Sequence, residues 1–223
     1  MAWTAPSTWV AGAILTAAQL NTQLRDNLLA GGPIYGTEAL RDAAIPTPFE
    51  GQRAYITGST IAAATGAVNT VPTGIQTVHN GSSTPSYAAN WVCVTPVGAY
   101  SNTLATSTST SYVSTLTSDS TPISATLTTG TTALISISGL TNNTSTGVTN
   151  SLSFAVSGAT TLNAADAQGS FVSEATISYS YGISRTYILS GLTAGTNTFT
   201  LYYKTSGGTA SWYNRNLVVQ GVA

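Results

Sequence analysis

Ala133-Leu134-Ile135-Ser136-Ile137-Ser138 and Phe199-Thr200-Leu201-Tyr202 decide the fold. Apolar and hydroxyl side chains alternate in both, the period of a strand with one face buried and one face wet. Working outward, the same pattern predicts strands at 123–127, 133–138, 151–156, 176–181, 184–189, 196–204 and 217–222. Turn-forming residues recur between them: Gly130, Asn142-Asn143, Gly158, Gly191, Gly195 and Gly207-Gly208. Short strands at that spacing predict an antiparallel β-sandwich, of jelly-roll type, over residues 119–223. Its tyrosines, Tyr179, Tyr181, Tyr187, Tyr202, Tyr203 and Tyr213, are expected in a core or a subunit interface.

Upstream, residues 98–118 are rich in Ser, Thr and Asn and read as a linker or an irregular opening strand. Residues 31–97 read as a small β subdomain. A short helix is expected at 38–44, ended by Pro46 and Pro48. Strands follow at 52–57, around 71 and 75–78, and at 91–94, with a tight-turn signal at Asn80-Gly81. So small a meander is marginal alone and is expected to pack on its neighbours.

Residues 1–30 differ in kind. Trp3 and Trp9 flank Pro6 in an N-terminal arm. A short amphipathic helix follows, with Thr16 placed to cap it. Leu20, Leu24 and Leu28 are spaced four apart, and Gly31-Gly32-Pro33 is a stop signal. The helix is too short to bury that stripe alone. It needs copies of itself or a larger body, and Arg25 and Asp26 could rim an apolar docking seam. The two tryptophans either fold back on the next domain or plug into a neighbouring subunit. The whole chain is thus predicted mainly β, with one short N-terminal helix, a small β-meander and a C-terminal sandwich.

Charged residues are 6% of the 223, against about 25% in ordinary soluble proteins. Hydrophobic residues are 42%, enough for a core. The net charge is −1, and no basic residue lies between Arg53 and Arg185. A surface that tracks nucleic-acid phosphates is therefore not expected. Little charge repulsion opposes self-association. No signal peptide is expected after Met1, and no apolar run is long enough to span a membrane. Cys93 is the sole cysteine and is expected to be a small buried hydrophobe beside Trp91 and Val92.

Catalytic patterns are missing from the sequence. His79 is the single histidine, beside the Asn80-Gly81 turn, and is expected to be solvated. No zinc spacing, calcium loop or nucleophile elbow occurs, and neither metal nor cofactor is predicted. Asp119, Asp166 and Glu174 are the carboxylates a glycosidase would need, but they lie in loop-like Thr/Ser/Ala-rich sequence.

The N-terminal pattern Thr8-Trp9-Val10-Ala11-Gly12, Leu15-Thr16-Ala17-Ala18, Leu20-Asn21 and Arg25-Asp26-Asn27-Leu28 resembles the opening of structural proteins of tailed bacteriophages, notably those infecting actinobacteria. The stretch from Leu40-Arg41-Asp42 through Gly51-Gln52-Arg53 to His79-Asn80-Gly81 and Trp91 looks like a further segment of the same proteins. Thr131–Ile135, Phe154–Ala159 and Gly195–Tyr203 are similar to phage jelly rolls of the tumour-necrosis-factor or C1q type, as are Gly207-Gly208-Thr209 and Asn214–Val219. The resemblance implies a non-enzymatic, homotrimeric virion protein, made in the host cytoplasm. It would be a minor tail or fibre-type appendage whose sandwich projects outward and could touch a host surface glycan or protein. Trp3, Trp9, Leu20, Leu24 and Leu28 would serve trimerisation and attachment to other tail or capsid proteins. The alternative is a capsid decoration or head-fibre protein. The rival from another class is a carbohydrate-binding module or depolymerase.

Overall fold

The computed structural model describes residue 16 and residues 32–223, apart from 61, 67, 71, 73, 85, 87 and 178. The helix expected within 1–30, with Trp3, Trp9, Leu20, Leu24 and Leu28, lies outside the described residues.

The chain is mainly β. The first described elements are β1 (Ile34–Tyr35), helix α1 (Glu38–Ala44) and β2 (Arg53–Ile56). They are followed by β3 (Ala63–Thr65), β4 (Val68–Thr70), β5 (Ile75–His79) and β6 (Trp91–Cys93). Helix α1 has the bounds its sequence predicts. Thr37 caps it by accepting from the Leu40 amide at 3.3 Å, and Pro46 turns Ile45 out of helical geometry. Strands β1, β2, β5 and β6 form a small four-stranded sheet. Trp91, Ala54 and Ile45 make its own core, while Ile56, Ile75 and Cys93 join the main core. The meander therefore packs on its neighbour, as its size requires. The approach is close: a Cβ on Gly221 would sit 2.6 Å from the Cys93 carbonyl oxygen.

The remaining strands are β7 (Val97–Ser101), β8 (Ala105–Ser107), β9 (Ser124–Thr129), β10 (Thr132–Asn143) and β11 (Thr149–Gly158). The chain ends with β12 (Ser170–Ser173), β13 (Tyr181–Ser190), β14 (Gly195–Thr205) and β15 (Ala210–Val222). Sheet I runs β13-β10-β15-β7-β4, with β8 also on β15; sheet II runs β12-β11-β14-β9-β3. Eight principal strands, shared equally between the two sheets, make a jelly-roll sandwich. Alternation sends Ile135, Ile137, Leu217 and Val219 inward from sheet I to meet Leu152, Phe154, Phe199 and Leu201 from sheet II.

Three expectations change. Of the two readings of residues 98–118, the opening strand fits and the linker does not: β7 and β8 pair with β15 and are part of sheet I. The small region also lends strands, since β3 extends sheet II on β9 and β4 extends sheet I on β7. The strand expected at 176–181 begins only at Tyr181. Glu174 is drawn inside while the chain crosses from the edge of sheet II to the edge of sheet I, so the intervening residues have no ladder to join.

Candidate functional site

The four residues considered for catalysis lie in different settings. His79 is fully buried, not solvated. Alternation along β5 turns Ile75, Thr77 and His79 to the covered face, and the register sets His79 opposite Trp91. Their rings meet edge to face at 5.1 Å, and the Arg41 guanidinium lies 4.6 Å from the Trp91 ring. His79 Nδ1 accepts from the Gly81 amide at 2.9 Å, so the ring is built into the turn rather than exposed beside it. Cys93 is buried, as expected for a small hydrophobe, and burial pushes its thiol up to about 11, away from thiolate chemistry.

Asp119 accepts from Ser101 Oγ at 2.8 Å and pairs with the buried Arg215 guanidinium. Burial alone would raise its carboxyl pKa. The hydrogen bonds from Ser101 and Arg215, with the guanidinium charge, outweigh that and hold it below the usual carboxylate range. Glu174 is 1% exposed. Its Oε1 accepts from Asn150 Nδ2 at 2.9 Å, while Oε2 is buried without a hydrogen bond. Burial raises its pKa, with Asn150 opposing.

Asp166 alone is surface-exposed, and it carries company that the sequence did not announce. Its Oδ1 accepts from Lys204 Nζ at 2.6 Å and from the Tyr112 hydroxyl at 2.7 Å. Lys204 Nζ lies 4.7 Å from the Tyr112 ring. The hydrogen bonds from Lys204 and Tyr112 lower the Asp166 pKa, while burial and Asp166 raise that of Tyr112. The loop bearing Asp166 is pinned on several sides. Ser153 donates to the Ala165 carbonyl at 2.8 Å, and Gln168 to the carbonyls of Phe154 and Asn163 at 2.8 Å. Arg185 Nη1 reaches the carbonyls of Ala167 and Gly169 at 2.8 and 2.7 Å.

This cluster lies on the outer face of sheet II. Phe171 pairs with Ser151 across β12 and β11, and Ser151 with Lys204 across β11 and β14. Paired residues share a face, and the neighbours Val172, Leu152 and Tyr203 belong to or pack on the core. Phe171 and Lys204 therefore both point outward, and Phe171 is 66% exposed. Two signals were available in the sequence: Lys204 is the only lysine, and it follows the inward-phased Phe199, Leu201 and Tyr203.

A second exposed surface is the free edge of sheet I. Among the described residues, strand β13 is hydrogen-bonded to β10 alone. Ile188 on it is 69% exposed, and the preceding crossover carries Ile177 at 56% and Tyr179 at 64%. Arg185 is the only charge on the strand, and it is turned back to the Ala167 and Gly169 carbonyls. Among the six sandwich tyrosines only Tyr203 is fully buried.

Among the described residues no group of three or more His, Cys, Asp or Glu could hold a metal ion, and no helix is long and apolar enough to cross a membrane. No family model matches the chain. No curated protein matches it in sequence. Solved structures of similar shape include the Eiger TNF of S. frugiperda, at 10% identity over 57% of this chain and 92% of that one, with a TM-score of 0.41. The VP2 protein of infectious bursal disease virus, in T=1 particles, is 12% identical over 66% of this chain and 41% of that one, with a TM-score of 0.41. The enzymatically active domain of bacteriophage CBA120 tailspike protein 4 is 14% identical over 55% of this chain and 19% of that one, with a TM-score of 0.27. The alignments thus span less than half of either viral chain. The jelly-roll assignment rests on the strand order itself.

Proposed function

We propose that the chain is a non-enzymatic structural protein of a virion, a homotrimer that attaches through residues 1–30 and displays its sandwich outward. The observation that supports self-association is the edge of sheet I; three copies and the virion are what the sequence resemblance implies. Strand β13 presents ten residues of backbone, Tyr181–Ser190, that pair on one side only among the described residues. Soluble monomers blunt such an edge with lysine, proline or a bulge. None of these interrupts β13, and Ile188, Ile177 and Tyr179 make the surroundings apolar. With 6% charged residues and a net charge of −1, a second copy meets little repulsion there.

The chemistry of the carboxylates points the same way. Asp119 is ion-paired to the buried Arg215 and Glu174 is buried, which leaves Asp166 as the exposed carboxylate of the three, and its Oδ1 is taken by Lys204 and Tyr112. The N-terminal resemblance supplies the virion, and Trp3, Trp9, Leu20, Leu24 and Leu28 supply the attachment.

The test is an electron-microscope image of particles labelled on this protein. A few labels at the tail support the fibre-type appendage. Labels across the head, in hundreds of copies, support the decoration reading. Unlabelled particles refute both.

A further inference from the structure

We propose that the outer face of sheet II binds a neutral saccharide at Phe171, Asp166, Lys204 and Tyr112. The inference does not require the assembly reading, although Arg185 of the edge strand β13 also pins the loop that bears Asp166.

Charge economy makes the place conspicuous. From residue 98 onward the chain has six charged residues: Asp119, Asp166, Glu174, Arg185, Lys204 and Arg215. Asp119 with Arg215, and Glu174, are committed inside the fold, and Arg185 holds two backbone carbonyls. Lys204 and Asp166, with side chains 23% and 67% exposed, form the ion pair this region presents to solvent. It lies against one aromatic ring and in the cross-strand row of another.

The geometry suits a sugar. Neighbouring strands are about 4.8 Å apart, so Phe171 and Lys204, two strands apart, are separated by about 10 Å at the backbone, the reach of one or two pyranose rings. The exposed Phe171 ring offers a flat apolar surface for the C–H face of a pyranose. Among the described residues Asp166 Oδ2 makes no hydrogen bond, so it is free to accept from a hydroxyl. An ammonium has three donors, of which Asp166 takes one, leaving Lys204 able to donate to a neighbouring hydroxyl. Vicinal hydroxyls match that adjacent acceptor and donor. The pair has no net charge, so a phosphate or a polyanion gains nothing from it. A protein partner would need about 800 Å² of complementary surface, whereas this is one exposed ring and one ion pair, with Ser151 buried between them. The pinned loop holds Asp166 before any ligand arrives, so binding requires little ordering.

The experiment titrates the full chain with cellotetraose, mannotetraose, xylotetraose and N-acetylchitotetraose, read by saturation-transfer NMR and calorimetry. At least one should bind with a Kd in the range of about 0.1 to 5 mM, and Phe171→Ala and Lys204→Met should each weaken it by about tenfold or more. Phe171→Tyr should retain binding. Phe171 is exposed, so its removal leaves the core intact, and an unchanged solution mass for each variant separates lost binding from lost assembly. Failure of all four sugars to bind at about 10 mM, or affinities within about twofold of the native protein in both variants, overturns the proposal.

Discussion

Arg215 and Asp119 meet inside the sandwich because β15 carries one extra residue. Between the pairs Ser138–Asn216 and Leu140–Tyr213 the register slips, with Asn214 at a positive φ of 48°. That bulge lets Trp212 and Arg215 both face inward, although strict alternation would separate them. Arg215 Nη2 then reaches Asp119, Ser101 Oγ at 3.0 Å and the Thr103 carbonyl at 3.1 Å. The guanidinium thus ties β15 to β7 and to the loop that follows it.

Removing one partner of a buried pair leaves the other charge without compensation, at a cost of about 3–5 kcal/mol. Asp119→Ala should lower stability by that order in urea denaturation. Replacing both residues by leucine should recover most of the loss. A double variant no more stable than Asp119→Ala would show that the pair's shape, not its charge, matters.

The same carboxylate sets acid sensitivity. Its folded pKa is depressed, so its contribution is full above the unfolded value of about 3.9 and is lost as pH falls through the folded value. Glu174 has the opposite sign: its pKa is raised, so its contribution is lost as pH rises through the folded value. Glu174→Gln should therefore melt above the native protein near pH 8, and the difference should shrink as pH falls toward and below the ordinary glutamate range. A constant offset between the two melting curves across this range would contradict the assignment.

His79→Ala should leave oligomerisation unchanged while lowering stability by about 3 kcal/mol, the order expected for emptying a fully buried ring site. His79→Phe should lose less, because the edge contact with Trp91 survives. Loss of assembly in a His79→Ala protein that still folds would point to chemistry at this residue.

The sandwich was legible where alternation carried bulky apolar residues. β9, the first half of β10, the middle of β11, β14 and the end of β15 follow from Ile135, Phe154, Leu201 and Val219. The end of β10 and the start of β11 were not, because their inward residues are polar. Asn143 Nδ2 donates to Asn150 Oδ1 at 2.9 Å and to Thr205 Oγ1 at 3.0 Å, and Asn150 donates to Thr141 Oγ1 at 3.0 Å. Amides that satisfy one another inside a fold look like loop residues in a sequence. Strand β12 is too short to show a period. His79 was misread because the Asn80-Gly81 signal outweighed the phase of Ile75 and Thr77. Lys204 could have been found from its phase. Tyr112 and Asp166 could not, since they lie 54 positions apart and meet only through the pinned loop.

Deleting residues 1–30 should separate folding from attachment. The described core draws on strands of all three sheets, from Ile56 to Val219, and has its own apolar contacts. The truncated protein should remain β-rich by circular dichroism and fail to join particles that lack the native protein. Normal incorporation would place attachment in the β region instead.

The mass of the full chain in solution, measured by light scattering at micromolar concentration, tests the central claim most directly. A homotrimer gives a single species of three chains, each of 22.7 kDa, which dissociates when the exposed edge residue is charged by Ile188→Lys. A monodisperse monomer of the native protein would contradict it.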